Sequence, residues 1–358
     1  MQAYTRTLDR YRTIQEKTMM SIRNACLLTL LFVCSAANAQ IVPKGARPEK
    51  LFEGVMLTEG VAVAPDGMVY FSDITFSDKT RQPDGSFHAG HIWVFNPNTG
   101  KTKIFRSPSG MSNGIKFDAA GNMLVCEGAD YGGRRVTRTN MKTGQAFVIA
   151  ARFNNRPLNA PNDITLDEKG RMYFSDPRYL GPESVDQPVM AVYRLDTDLT
   201  LHRIITDAGK PNGVCVSPDQ KTLYVVCHNN GSTGGIDPIE NNEEPQPQKG
   251  RMELMAYDLH DDGTATFRRT LVNYYPQDGP DGLCCDVKGN IYVAERDTSK
   301  PGIGIYSPEG KQLDFIPTEL PTNVGFGRGE DASVLYITAG SSLFRIRLSI
   351  DGYHLPSK

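Results

Sequence analysis

The sequence predicts an all-β fold, a six-bladed β-propeller of four-stranded antiparallel blades. Three observations lead there. One short phrase recurs six times, each copy heads a run of alternating apolar residues, and the 34 glycines and 23 prolines are scattered as turn punctuation rather than pooled in a linker. The phrase is a polar residue, usually followed by glycine, then alternating apolar residues, then an acidic or glycine-rich turn.

The copies read Glu59-Gly-Val-Ala-Val-Ala-Pro-Asp-Gly67, Asn113-Gly-Ile-Lys-Phe-Asp-Ala-Ala-Gly121 and Asn162-Asp-Ile-Thr-Leu-Asp-Glu-Lys-Gly170. They continue as Asn212-Gly-Val-Cys-Val-Ser-Pro-Asp219, Asp281-Gly-Leu-Cys-Cys-Asp-Val-Lys-Gly289 and a weaker Asn323-Val-Gly-Phe-Gly-Arg-Gly329. Their starts are separated by 54, 49, 50, 69 and 42 residues, a period that belongs to propeller blades.

Each repeat has room for four strands. In the first, Val61–Ala64 and Val69–Ser72 flank the Pro65-Asp-Gly67 turn, and His91–Phe95 and Lys101–Arg106 flank a turn at Asn96–Gly100. The sixth repeat has room for only three, ending with Phe344–Leu348. The unpartnered segment around Glu49–Phe52 is therefore expected to complete the last blade, leaving no free edge where the ring closes. The long fourth step contains an insertion, residues 229–250, rich in Asn, Gly, Glu and Pro. Such a composition cannot fill a core and is expected at the surface, as a loop or lid.

The N-terminus reads as an extension plus signal peptide, residues 1–39, ahead of one propeller domain over residues 40–358. Arg23 precedes the apolar run Ala25–Val33, which is too short to span a bilayer and ends at the small-residue site Ala37-Asn-Ala39. Cleavage after Ala39 would make the mature chain periplasmic or secreted, with no stable membrane insertion. Met19 and Met20 are alternative starts to Met1.

The formal net charge of −2 gives no electrostatic case for nucleic acid or anionic lipid as a partner. Of the seven cysteines, five lie beyond residue 39 and none is spaced C-x-x-C. Free buried thiols are expected, with a Cys215–Cys227 disulfide open as an option. There is no phosphate-cradling loop, which disfavours nucleotide chemistry.

A propeller brings the start of every innermost strand to one mouth of its central channel. Glu59, Asn113, Asn162, Asn212, Asp281 and Asn323 occupy that position in the six repeats. Any one of them can be a turn cap. Six in register, two of them acidic, form an all-oxygen cluster suited to one hard divalent cation. Calcium is the foremost expectation, with magnesium, manganese or zinc as alternatives.

With these phrases in hand the chain resembles the SMP-30/gluconolactonase/LRE-like family, over roughly Glu49 to Leu348. The resemblance is to the bacterial gluconolactonase branch. It rests on Cys126-Glu127 with Gly133-Arg-Arg-Val-Thr-Arg138, on Leu158-Asn-Ala-Pro-Asn-Asp163, on Tyr173-Phe-Ser-Asp-Pro-Arg-Tyr179 and on Pro280-Asp-Gly-Leu283. It implies a metal-dependent hydrolase that opens a sugar lactone or similar cyclic ester, a small-molecule substrate. The metal would be held by Glu59, Asn162, Asn212 and Asp281 or a subset of these, and would polarise the carbonyl as water attacks, with Asp281 as general base.

Asn113, Glu127, Arg134, Asp176 and Tyr179 are further candidates for contact with substrate, and Asp176 alternatively for a second cation. His228, at the end of a strand, is an extra acid–base candidate, although such a residue is more often a hydrogen-bonded loop histidine. The animal branch carries Arg where this chain has Ala160, and Glu where it runs Tyr179-Leu-Gly-Pro. Substrate recognition therefore does not transfer from that branch. Phosphotriester or aryl-ester hydrolysis at the same cation, and a non-catalytic binding propeller, are the competing functions.

Overall fold

The computed structural model of the chain describes residues 40–233 and 249–356. The expected signal segment and most of the 229–250 insertion lie outside the described residues. Six four-stranded antiparallel sheets are present, five of them in simple chain order. The innermost strands are Leu57–Val63, Ser112–Phe117, Ile164–Leu166, Pro211–Val216, Pro280–Cys285 and Pro321–Phe326, heading blades 1 to 6 in turn. The one helical turn among the described residues is a short 3-10 segment, Gly329–Asp331.

The sixth sheet closes the ring as the sequence predicts. Glu49–Glu53 pairs with Ser342–Arg347, in register Glu49 to Arg345 and Lys50 to Phe344. The first strand among the described residues is thus the outer strand of the last blade.

Apolar side chains alternate along each inner strand and feed two different interfaces, as a period of two requires. Val61 and Val63 pack toward blade 6, whereas Ala62 faces blade 2. The same division repeats around the ring, and each of the six hydrophobic clusters straddles one blade interface. Tyr173, Tyr193, Tyr257, Tyr292 and Tyr336 are among the largest fully buried side chains.

In five of the six blades the recurring phrase turns out to be a β-bulge. The ladder between first and second strand shifts register across Glu59–Ala62, Ser112–Ile115, Pro211–Val214 and Pro280–Leu283, and again at Pro321–Asn323. An inserted residue bends the strand and re-aims its side chain. Here it turns the polar residue toward the channel mouth, out of the alternating pattern that serves the blade interfaces.

The glycine that follows is needed because neighbouring inner strands nearly touch at this level. Gly114 donates its N–H to the Asn162 carbonyl at 2.7 Å, and a Cβ at Gly114 would lie 2.6 Å from the same oxygen. Ser72 and Ser175 reinforce the seam, donating to the carbonyls of Asn113 at 2.7 Å and Asn212 at 2.5 Å in the following blades.

The opposite mouth is crossed by the C-terminal segment, which the sequence did not announce. Gly352 bridges to Asp286, Tyr353 donates its N–H to Cys285 O at 3.0 Å, and the Tyr353 hydroxyl meets Gln220 and Glu168. His354 bonds Gly327 O through Nε2 at 2.8 Å.

Candidate functional site at the channel mouth

A cavity of about 220 Å³ opens at the mouth where the inner strands begin. Glu59, Asn113, Asn162, Asn212 and Asp281 line it, one from each of blades 1 to 5. Five of the six repeat positions thus converge on one cavity. Asn323 lies behind them, with its amide nitrogen 3.4 Å from Glu59 Oε2. Tyr179 also lines the cavity, together with His228, Asn230 and Arg296.

The two carboxylates are held in different ways. Glu59 Oε2 accepts the Gly60 N–H at 2.9 Å, and the side chain is 3% exposed. Burial, then the neighbouring Asp281 charge, push its pKa well above the ordinary carboxylate range. Asp281 is pushed up to about 6 by burial, opposed by the Arg296 guanidinium. Arg296 Nη1 reaches Asp281 Oδ2 at 3.2 Å and is anchored on Pro321 O at 2.9 Å. Asn212 donates Nδ2 to the Tyr179 hydroxyl at 3.2 Å, which leaves its side-chain carbonyl oxygen for another partner.

This donor set fits a hard cation on two counts. Two carboxylates raised toward protonation by burial, Glu59 also by the Asp281 charge and Asp281 also by the Asp163 charge, are what an opposing positive charge would relieve. The Asn113 Oδ1 oxygen is buried and accepts no hydrogen bond. Among the described residues no three His, Cys, Asp or Glu side chains gather closely enough to hold a metal alone. A cation at this mouth would depend on amide oxygens as well as the acid pair.

Three expected substrate contacts are engaged elsewhere. Asp176 accepts the N–H groups of Asn159 and Ala160 at 2.9 and 2.8 Å, fixing the loop that delivers Asn162. Arg134 donates Nε to the carbonyls of Leu158 and Asn159 and pairs with Asp186 at 2.6 Å, bracing the same loop from outside. Glu127, 2% exposed, is consumed by Arg135 at 2.7 Å and Thr137 at 3.1 Å. All three stand near the mouth, but none lines the cavity. Their roles were hidden in sequence because each acts on backbone or side-chain partners in neighbouring loops and strands.

Two other residues emerge only from the structure, and a third, His228, gains a defined geometry there. Arg296 follows the second strand of blade 5 and carries no motif. Asp163 replaces the glycine of the phrase in blade 3; its carboxylate accepts Ile164 N–H at 2.9 Å and Val214 N–H at 3.3 Å, and burial raises its pKa. His228 is more than a loop histidine. Its Nδ1 meets the carbonyls of Gly279 at 2.9 Å and Pro280 at 3.2 Å, and carbonyls only accept, so Nδ1 carries the proton. Its Nε2 is left as a free acceptor on a ring that lines the cavity. Burial, then Arg296, depress its pKa to about 4, so the ring is neutral at ordinary pH.

The thiols also resolve. Cys215 and Cys227 face different interfaces and are not joined. Cys215 Sγ lies 3.7 Å from Cys285 Sγ at the interface of blades 4 and 5.

Comparison with known proteins agrees with this architecture. The family described as the SMP-30/Gluconolactonase/LRE-like region matches residues 57–341. A gluconolactonase of Zymomonas mobilis is 30% identical over 264 residues, 69% of this chain and 65% of that protein. A lactonase drp35 of Staphylococcus epidermidis is 30% identical over 213 residues, 57% of each chain. The chain thus spans less than two-thirds of the length of these two relatives. The solved structure of a gluconolactonase from Xanthomonas campestris superposes with a TM-score of 0.69 at 26% identity, covering 88% of this chain and 93% of that one. With the repeat phrase, the closed six-bladed ring and a family match across most of its length, the chain is a member of the SMP-30/gluconolactonase/LRE-like family.

Proposed function

We propose that this protein is a carboxylic ester hydrolase that opens lactones with the help of one divalent cation, calcium foremost. The observation that carries the reading is the convergence of Glu59, Asn162, Asn212 and Asp281 from four blades onto one cavity, with an orphaned Asn113 oxygen beside them. The names of the relatives support lactones as the substrate class.

Glu59, Asn162, Asn212 and Asp281 would hold the cation, which supplies polarisation of the lactone carbonyl and stabilisation of the developing oxyanion. The remaining work falls to the chain's own groups. Asp281, with a pKa near 6, is ionised at neutral pH and is the proton acceptor for the attacking water. His228 offers Nε2 to a water or a substrate hydroxyl on the same side. As the water oxygen bonds to the carbonyl carbon, the ring C–O bond breaks and its oxygen takes up a proton, giving a hydroxy acid. Arg296, fixed on Pro321 O, lies where the new carboxylate forms and offers it a guanidinium. The sequence from Arg23 to Ala39 supports export to the periplasm or medium as part of the same proposal.

A panel of lactones assayed with and without chelator, on wild type and Asp281→Ala, tests the reading. Hydrolysis that chelator abolishes and added calcium restores is expected, with a loss of at least about 100-fold in Asp281→Ala. A wild type that opens no lactone, and whose melting temperature chelator does not lower, would overturn it. Full activity in Asp281→Ala would remove the base while leaving the hydrolase.

A further inference from the structure

The cavity is two-sided, and its two sides come from different blades. Above the ring of Glu and Asn side chains, blades 1 to 3 contribute Leu57, Ile74, Phe76, Met111, Ala129 and Leu180. The polar exception is Tyr179, whose hydroxyl is turned across to blade 4, donating to His228 O at 3.0 Å and accepting from Asn212. Blades 4 and 5 contribute only polar side chains: Asn212, His228, Asn230, Asp281 and Arg296. Asp281, the imidazole acceptor and the guanidinium thus share one half, and the facing half, above Glu59, Asn113 and Asn162 at its base, is a hydrocarbon wall.

From this division we infer that the preferred substrate is an alkyl- or aryl-substituted lactone, seated with its ester on the blade 4–5 side and its hydrocarbon group against Phe76, Met111 and Leu180. The inference rests on the lactonase reading and narrows it. A polyhydroxylated sugar lactone carries a hydroxyl on nearly every ring carbon. With the ester facing Asp281 and Arg296, at least one of those hydroxyls lies against the wall with no partner. Each buried hydroxyl left unbonded lowers affinity by about 5- to 150-fold. Each methylene transferred from water to the wall raises it by about three- to fourfold. The two effects act in the same direction, so discrimination against the sugar lactone should exceed about 100-fold once a substituent of several carbons is present.

The test measures kcat/KM for δ-gluconolactone, unsubstituted δ-valerolactone and δ-lactones with alkyl chains of increasing length, on the calcium-loaded protein. In parallel, binding of the matching lactams, which keep the ring shape and resist hydrolysis, is measured by calorimetry. The expected result is a rise of about three- to fourfold per methylene until the wall is filled, and the same order of affinities among the lactams. Phe76→Asn should flatten that slope. Leu180→Asn, at a rim position 36% exposed, provides the same readout should the first variant fail to fold. A preference for δ-gluconolactone, or a chain-length slope unchanged in both variants, would overturn the inference. If no lactone is hydrolysed but alkyl lactams bind better than gluconolactam, the hydrolase reading fails and the two-sided site stands. If gluconolactam binds better, the two-sided site fails whatever the activity.

Discussion

Replacing Gly60 by alanine should damage both the ring and the site, by an amount that a matched control can isolate. Gly60 has φ +56°, and a Cβ there would overlap the Asn113 carbonyl, lying 2.6 Å from its carbon and 2.9 Å from Gly114 Cα. Gly67, in the Pro65-Asp-Gly67 turn, has φ +84°, and a Cβ there would meet nothing within 4 Å. Alanine at positive φ costs about 1–2 kcal/mol at either site. Only at Gly60 is there an added overpacking cost of about 1–3 kcal/mol, because the obstacle is backbone of the next blade. Gly67→Ala should therefore lose about 1–2 kcal/mol and Gly60→Ala about 2–5 kcal/mol. With an unfolding entropy of about 2.1 cal/mol/K per residue over roughly 300 described residues, these become about 2–3 °C and 3–8 °C in Tm. Differential scanning calorimetry reads the stability, and titration with calcium reads the site, since Gly60→Ala must push Asn113 and Glu59 apart while Gly67→Ala leaves them in place. Equal Tm losses, with calcium affinity unchanged in both, would refute the claim that blade-to-blade contact at the bulges sets the geometry of the mouth.

Two further predictions concern the opposite mouth. His354 is held neutral, its pKa depressed to about 4 by burial and by Arg328. A histidine depressed in the folded state binds more protons when unfolded between pH 4 and its ordinary value near 6.5, so its contribution is complete above about pH 6.5 and is lost as pH falls toward 4. Wild type should lose up to about 3 kcal/mol relative to His354→Gln over that interval in urea unfolding, and a pH-independent difference would rule this out. Mild oxidation by diamide, a two-electron thiol oxidant, should join Cys215 to Cys285, seen as loss of two hydrogens in the linked peptides. Their sulfurs are 3.7 Å apart, and recovery of a Cys215–Cys227 link would show the interface to be built differently.

The fold was legible because a propeller repeats its instructions. Apolar runs such as Val61–Ala64 marked the inner strands, and the unpartnered Glu49–Phe52 told how the ring closes. The convergence of Glu59, Asn113, Asn162, Asn212 and Asp281 could be anticipated for the same reason, since equivalent positions in stacked blades must meet. What alternation could not reveal is the bulge, which looks in sequence like an ordinary Asn-Gly turn. Residues outside the repeat were harder. Asp176 and Arg134 sit in motifs that suggest substrate contact, yet their partners are the backbone groups of residues 158–160. Arg296 sits in no motif, and its position beside Asp281 follows from the pairing of Pro280 with Glu295 in blade 5.

Closure by the strand Glu49–Glu53 also bears on how the molecule can be made. Glu49 and Arg345 are 296 positions apart, so this strand is made long before its partner and is among the last to pair. Joining such distant ends of a disordered chain would cost about 5 kcal/mol in loop entropy alone. Docking the blades one after another, each on the previous one, carries the two ends toward each other and spreads that cost over five smaller steps. Blade 6 is then the keystone of assembly. A nascent chain carries an open edge at each end until it is set, and loss of only a few residues at either strand would leave a ring that can gape, swap strands with a neighbour, or present its unpaired edge to another chain.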